Sequence, residues 1–170
     1  MKLSLALLIA LSAAAQTDPW AALRVFEGKW EGPTSGKPGK GSTVREFRFE
    51  LNAHFLSQHD KSVYQPEDAA AKPLVHEDLG FFSYDTNLKK LVWRQFHSEG
   101  LVNEYILESV SADGKSIEFD TTKIENLPPG FRAKKVYQVV SPDEITETFS
   151  LAPPGQDFAL YTLARLKRVK

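Results

Sequence analysis

From residue 42 to the C-terminus the chain repeats one pattern. A short run in which apolar and polar side chains alternate gives way to a cluster of Gly, Pro, Asn, Asp or Ser, and the pattern begins again. Alternation with period two marks a strand with one buried face, and the clusters are turn signals. Strands are predicted at about 43–51, 55–64, 76–84, 90–98, 101–110, 115–125, 131–140, 144–152 and 157–168. With a strand opening at Trp30 this makes about ten. The connections "YDTNLKK", "SEG", "SADGK", "ENLPPG", "SPDE" and "APPGQ" leave no room for a crossover helix, so consecutive strands are antiparallel neighbours. A meander with one apolar face and no helix to cover it either packs on a second layer or closes on itself, and closure also removes the exposed edges. The expected fold is therefore all-β, an antiparallel up-and-down barrel of about ten strands, wide enough to hold a pocket.

Three segments before this meander read differently. Residues 1–15, "MKLSLALLIALSAAA", have the basic start, short apolar core and small-residue end of a cleaved secretory signal, which leaves 16–170 as a single barrel domain, periplasmic or secreted. In "DPWAALRVF", Asp18 can cap a short helix with Pro19 in its first turn and Trp20, Leu23 and Phe26 on one side. "GPTSGKPGKGS" at 32–42 reads as a mobile loop. It is not a phosphate-binding loop, since neither Gly-Lys pair is followed by Ser or Thr.

Composition narrows the partners. With 21 basic and 22 acidic residues the chain has no field that would draw nucleic acid, and "RLKRVK" at the C-terminus reads as a solvated strand end. No apolar run reaches the roughly 20 residues of a membrane span. The absence of Cys excludes disulfides, thiolate metal sites and cysteine nucleophiles. His54, His59 and the "HED" at 76–78 suggest a metal centre, but His54 and His59 differ in strand parity and point to opposite faces, so no dedicated metal site is expected. The partner class that remains is a small hydrophobic molecule, and the oligomeric state is open.

The short helix, "FEGKWEG" and the strand meander together resemble the calycin superfamily. In it a Gly-x-Trp opens the first strand and a basic residue of the last strand stacks on that Trp. Gly28 and Trp30 match the first element, and Arg165 in "LARLKR" is the expected partner, a cation–π closure of one barrel end. More specifically, the chain resembles the nitrobindin-like haem-binding β-barrels. His97 and Gly100 match their mid-chain His-x-x-Gly hairpin, and Ala164 and Leu166 match their last strand. Tyr161 stands where that family has its proximal haem ligand, which makes it the implied iron ligand here, tyrosinate being a haem ligand in some proteins.

The hairpin "WRQFHSEGLVNEYI" carries the remaining candidate chemistry. With Glu99 and Gly100 as its tip, His97 lies opposite Val102, Gln95 opposite Glu104 and Trp93 opposite Ile106, so these side chains share a face. The resemblance puts His97 in the lumen, and Arg94 on the other face is easier than Trp93 to leave in water. Gln95, His97 and Glu104 then form a polar cluster on an apolar wall, the composition of a small-molecule site. Arg132 in "ENLPPGFRAKK" reads as a rim residue.

The leading reading is an exported barrel without catalytic residues, binding a hydrophobic or planar ligand in its lumen, with haem the named candidate. Its ligand-binding residues are Trp93, Gln95, His97, Glu104, Tyr161 and Leu163, with Ile106 and Phe158 as further lining. Two readings stand beside it. One is an isomerase or hydrolase using His97 and Glu104 as general acid and base on an apolar substrate. The other is a ligand-free barrel filled by aromatic residues such as Phe47, Phe49, Phe55, Phe81, Phe119 and Phe149.

Overall fold

The computed structural model describes residues 18–66, 68 and 70–170. The expected signal segment, 1–15, lies outside them. Ten strands follow one another: β1 (Gly28–Gly36), β2 (Gly39–Glu50), β3 (Phe55–Gln65), β4 (Leu74–Asp85), β5 (Lys90–His97), β6 (Val102–Val110), β7 (Ser116–Glu125), β8 (Arg132–Ser141), β9 (Glu144–Ala152) and β10 (Ala159–Arg168). Each pairs antiparallel with its sequence neighbours, and β1 pairs with β10 to close the barrel. Among the described residues no helix is long and apolar enough to cross a membrane.

The predicted N-terminal α-helix is instead a run of turns ending in one 3-10 turn, Arg24–Phe26. Asp18 does cap it, its Oδ1 accepting the Trp20 N–H at 3.0 Å. The spacing of Trp20, Leu23 and Phe26 explains the tighter winding. Residues three apart eclipse on a 3-10 helix, so all three rings and chains fall on one face and are buried.

The expected loop at 32–42 is also a correction, because β1 and β2 form a hairpin through most of it. Its glycines serve close approach. A Cβ on Gly32 would stand 2.0 Å from the Arg165 carbonyl oxygen, and one on Gly41 would stand 2.1 Å from that of Val63. Only glycine lets the chain cross the sheet so tightly at these points.

Alternate side chains fill one half of the lumen. Phe82, Trp93 and Tyr105 stack in sequence, with centroids 4.6 and 4.7 Å apart, and Phe119 meets Trp93 edge-on. Gly80 makes the stack possible, since a Cβ there would lie 2.5 Å from Trp93 Nε1. Phe26 enters from the N-terminal segment against Phe47 and Tyr137, plugging that end. Each ring fully removed from water is worth about 1.5–3 kcal/mol, so this half is where the stability concentrates. The filled-barrel reading names two of these side chains correctly, Phe47 and Phe119, while Phe55 and Phe81 point outward and are exposed.

Candidate functional site

The other half of the lumen is open. It holds a cavity of about 340 Å3 with apolar walls, among them Leu101, Ile124, Leu127, Phe149 and Leu151, and a charged floor. The floor exists because inward-facing positions near this end of β2, β3, β8 and β9 are ionic: Arg45, Asp60, Lys135 and Glu147, all buried. Arg45 Nη2 stands 2.6 Å from Asp60 Oδ2, and its Nη1 pairs with Glu147. Thr43 donates to the other oxygen of Asp60 at 3.0 Å. Lys135 Nζ lies 3.5 Å from Glu147 Oε1 and 4.9 Å from the Trp93 ring centroid, resting its charge on the aromatic half. Burial would raise the Glu147 pKa, yet the charges of Arg45 and Lys135 hold it below the ordinary value.

Beside this network three side chains converge. His76 and Asp78 are two apart on β4 and so share its inner face, and β4 pairs with β5 so that Asp78 lies opposite His97. His97 Nδ1 is 2.6 Å and His76 Nε2 3.0 Å from Asp78 Oδ1, and the two ring nitrogens are 3.5 Å apart. Gln95 donates to Asp78 Oδ2 at 2.8 Å, and the outer nitrogen of His76, Nδ1, meets Glu99 at 2.7 Å. The hydrogen bond to Asp78, reinforced by its charge and that of Glu99, raises the His76 pKa to about 9. Burial would lift Asp78, but the hydrogen bonds of both imidazoles and the nearby positive charge hold it far below the carboxylate range. His97 Nε2 is buried and has no hydrogen-bond partner among the described residues.

The hairpin register differs from the predicted one by one residue. The connection is a three-residue loop, Ser98–Gly100, closed by the His97 N–H donating to Leu101 O at 2.9 Å, with Gly100 at φ +84°. A Gly in the left-handed region is what a three-residue loop needs. The slip turns β6 over: Gln95 faces Asn103 and Trp93 faces Tyr105. Glu104 and Ile106 therefore point outward, Glu104 lying 3.8 Å from Arg94 and accepting from Thr122. Trp93, Gln95 and His97 face inward, but of the three only His97 lines the cavity: Trp93 lies inside the aromatic stack and Gln95 is buried against Asp78.

On β10 a bulge between Leu160 and Thr162 lets Tyr161 and Thr162 both line the cavity, while Leu163 falls on the outer face. Phe158 also lies outside, under Arg132, whose guanidinium is 4.8 Å from the ring centroid. Arg165 is exposed on the outer face. The residue over Trp30 is Arg168, three positions on. His54 and His59 are exposed, away from the cluster. The part of the cluster missing from the sequence reading is the meeting of His97 with His76 and Asp78. Counting back from the β4–β5 tip, where Asp85 pairs with Lys90, puts Asp78 opposite His97.

No family model matches the chain, and no curated protein does. Among solved structures, Rv2717c from M. tuberculosis superposes with a TM-score of 0.68 at 19% identity, over 89% of this chain and 98% of that one. The chain has the fold of Rv2717c. That likeness shows the closed antiparallel barrel fold and nothing finer. Two other solved structures overlap more loosely. EF1p2_mFAP2b bound to DFHBI gives a TM-score of 0.34 at 12% identity, over 89% of this chain and 100% of that one. A DUF3598-family protein of unknown function from Nostoc punctiforme gives 0.30 at 8% identity, over 89% and 99%.

Proposed function

We propose that this chain is an exported binding protein whose barrel takes one small amphiphile, with an apolar body against the pocket walls and a polar head on the floor. A single observation carries the reading: the lumen is half packed with aromatic rings and half open, and the open half joins apolar walls to a floor of buried charges. That composition is the usual one for a small-molecule site, and about 340 Å3 stands at the lower end of the range for such pockets. The floor charges pair with one another, which favours a neutral or dipolar head over a strongly charged one.

Haem matches the pocket less well. The cavity is small for a macrocycle, and each imidazole on it already has a nitrogen turned to Asp78. Tyr161, at the rim, is the axial donor that the family resemblance names. The enzymatic reading through a His97–Glu104 pair lacks support, because Glu104 is on the outer face.

The test is titration of the full chain with the neutral fluorescent amine 1-aminoanthracene, an apolar body with a small dipolar head, and separately with hemin, against wild type and Leu101→Trp, which narrows the cavity. Saturable dye binding that raises the melting temperature and is weakened by Leu101→Trp is expected. Absence of saturable binding by the folded wild type would overturn the reading. A one-to-one Soret shift removed by Tyr161→Phe would replace the amphiphile with haem.

A further inference from the structure

We infer that His76, Asp78 and His97 form a binding site for one divalent first-row transition ion, reached from the pocket. The site is independent of whether the pocket also takes an amphiphile.

The geometry is that of a ligand set. His76 Nε2, His97 Nδ1 and Asp78 Oδ1 form a triangle with edges of 3.0, 2.6 and 3.5 Å. Atoms so spaced can all lie about 2.0–2.1 Å from a common point just off their plane, the bond length of zinc to imidazole and carboxylate. Two imidazoles and one carboxylate are a donor set for Zn2+ or Fe2+ rather than for Ca2+ or Mg2+, which want oxygen. All three side chains line the cavity, so an ion held there would have its remaining coordination positions facing the pocket rather than buried in protein.

Two further features support the assignment. Glu99 Oε1 sits 2.7 Å from Nδ1 of His76, the nitrogen that faces away from the cluster, which is the carboxylate support that metal-bound histidines usually have. Gln95 holds Asp78 Oδ2 at 2.8 Å, leaving Oδ1 turned to the two imidazoles. In addition, His97 is about nine-tenths buried and its Nε2 has no partner among the described residues, so among them no side-chain hydrogen bond beyond the cluster accounts for a polar ring in this position.

The experiment is a titration of the untagged full chain, first freed of metal by chelator, with Co2+ followed by visible absorption and with Zn2+ by calorimetry. Wild type should bind one equivalent. His76→Ala and His97→Ala, checked by melting to be folded, should each lose saturable binding, and Glu99→Gln should weaken it by roughly 10–100-fold. His54→Ala and His59→Ala should bind as wild type. Should His97→Ala fail to fold, His76→Gln decides alone, since His76 stands at the pocket face and is partly exposed. No stoichiometric uptake by wild type, or unchanged affinity in His76→Gln, would overturn the site. The same preparations titrated with dye separate the two proposals: dye uptake without metal uptake removes this one only, and metal without dye removes only the other.

Discussion

The guanidinium of Arg168 lies 4.2 Å from the ring centroid of Trp30, and the two residues are direct partners across the β10–β1 seam. Arg168 also donates to the carbonyl oxygens of Val25 and Glu27 at 2.7 and 2.6 Å and to that of Pro142 at 3.0 Å. One side chain thus fastens the N-terminal plug, the barrel seam and the β8–β9 turn over a fully buried indole. Arg168→Ala removes the cation–π contact and several charge-assisted hydrogen bonds, and a loss of about 2–4 kcal/mol is expected. Arg165→Ala, on the outer face, should stay within about 0.5 kcal/mol. Urea unfolding of the two variants side by side checks the assignment, and equal losses would refute it.

Arg45 is the keystone of the pocket floor. Its removal leaves Asp60 and Glu147 buried, with Lys135 near one of them only. Arg45→Met should cost about 3–5 kcal/mol, the usual penalty for breaking a buried pair. Arg48→Ala, which breaks the exposed pair with Glu46, should cost no more than about 1 kcal/mol. Chemical denaturation midpoints of the two variants give the comparison.

Gly32 should not accept even a methyl group. The added Cβ would meet the Arg165 carbonyl, which belongs to the barrel wall and cannot swing aside, so Gly32→Ala should lose about 1–3 kcal/mol or more. At Gly100 nothing lies within 4 Å of an added Cβ, and the cost of Gly100→Ala is the backbone penalty at φ +84° alone, about 1–2 kcal/mol. A thermal melt in which Gly32→Ala is the milder of the two would contradict the close-approach account.

Alkaline pH should unfold the barrel from within. Burial raises the pKa of the Tyr105 and Tyr137 phenols well above the ordinary 10.0, so each is neutral in the fold and ionises readily only in the unfolded chain. Their contribution is intact below about pH 10 and declines as pH rises above it, because the unfolded state then releases protons that the native state keeps. The tyrosinate absorbance of these two residues should therefore appear together with loss of the folded circular dichroism signal. Its appearance at a lower pH than unfolding would show that the rings are reached by solvent.

Periodicity was enough to find the strands, because a strand with one buried face writes its own alternation into the chain: β3, β5 and β9 lie within two residues of their predicted limits. The glycines of 32–41 were misleading for a physical reason, since a residue that permits flexibility and one that permits close approach are the same residue. The side on which Glu104 falls is not legible locally, because two-residue and three-residue loops are both compatible with "SEG" and one residue of slip exchanges the faces of a whole strand. Arg165 in "LARLKR" fits the basic last-strand position by type, whereas parity favours Arg168, which shares the inner face with Ala164 and Leu166.

What the sequence determined by itself was the class: short alternating runs with short turns leave antiparallel neighbours and, without helices, a closed barrel. Only the tertiary structure decided where that barrel is solid and where it is open. The meeting of His97 with Asp78 and His76 follows from the β4–β5 register, but which rings meet in the lumen depends on the registers of several strands and on closure of β1 against β10. These are long-range constraints, set by the packing of side chains whose partners the local pattern does not name.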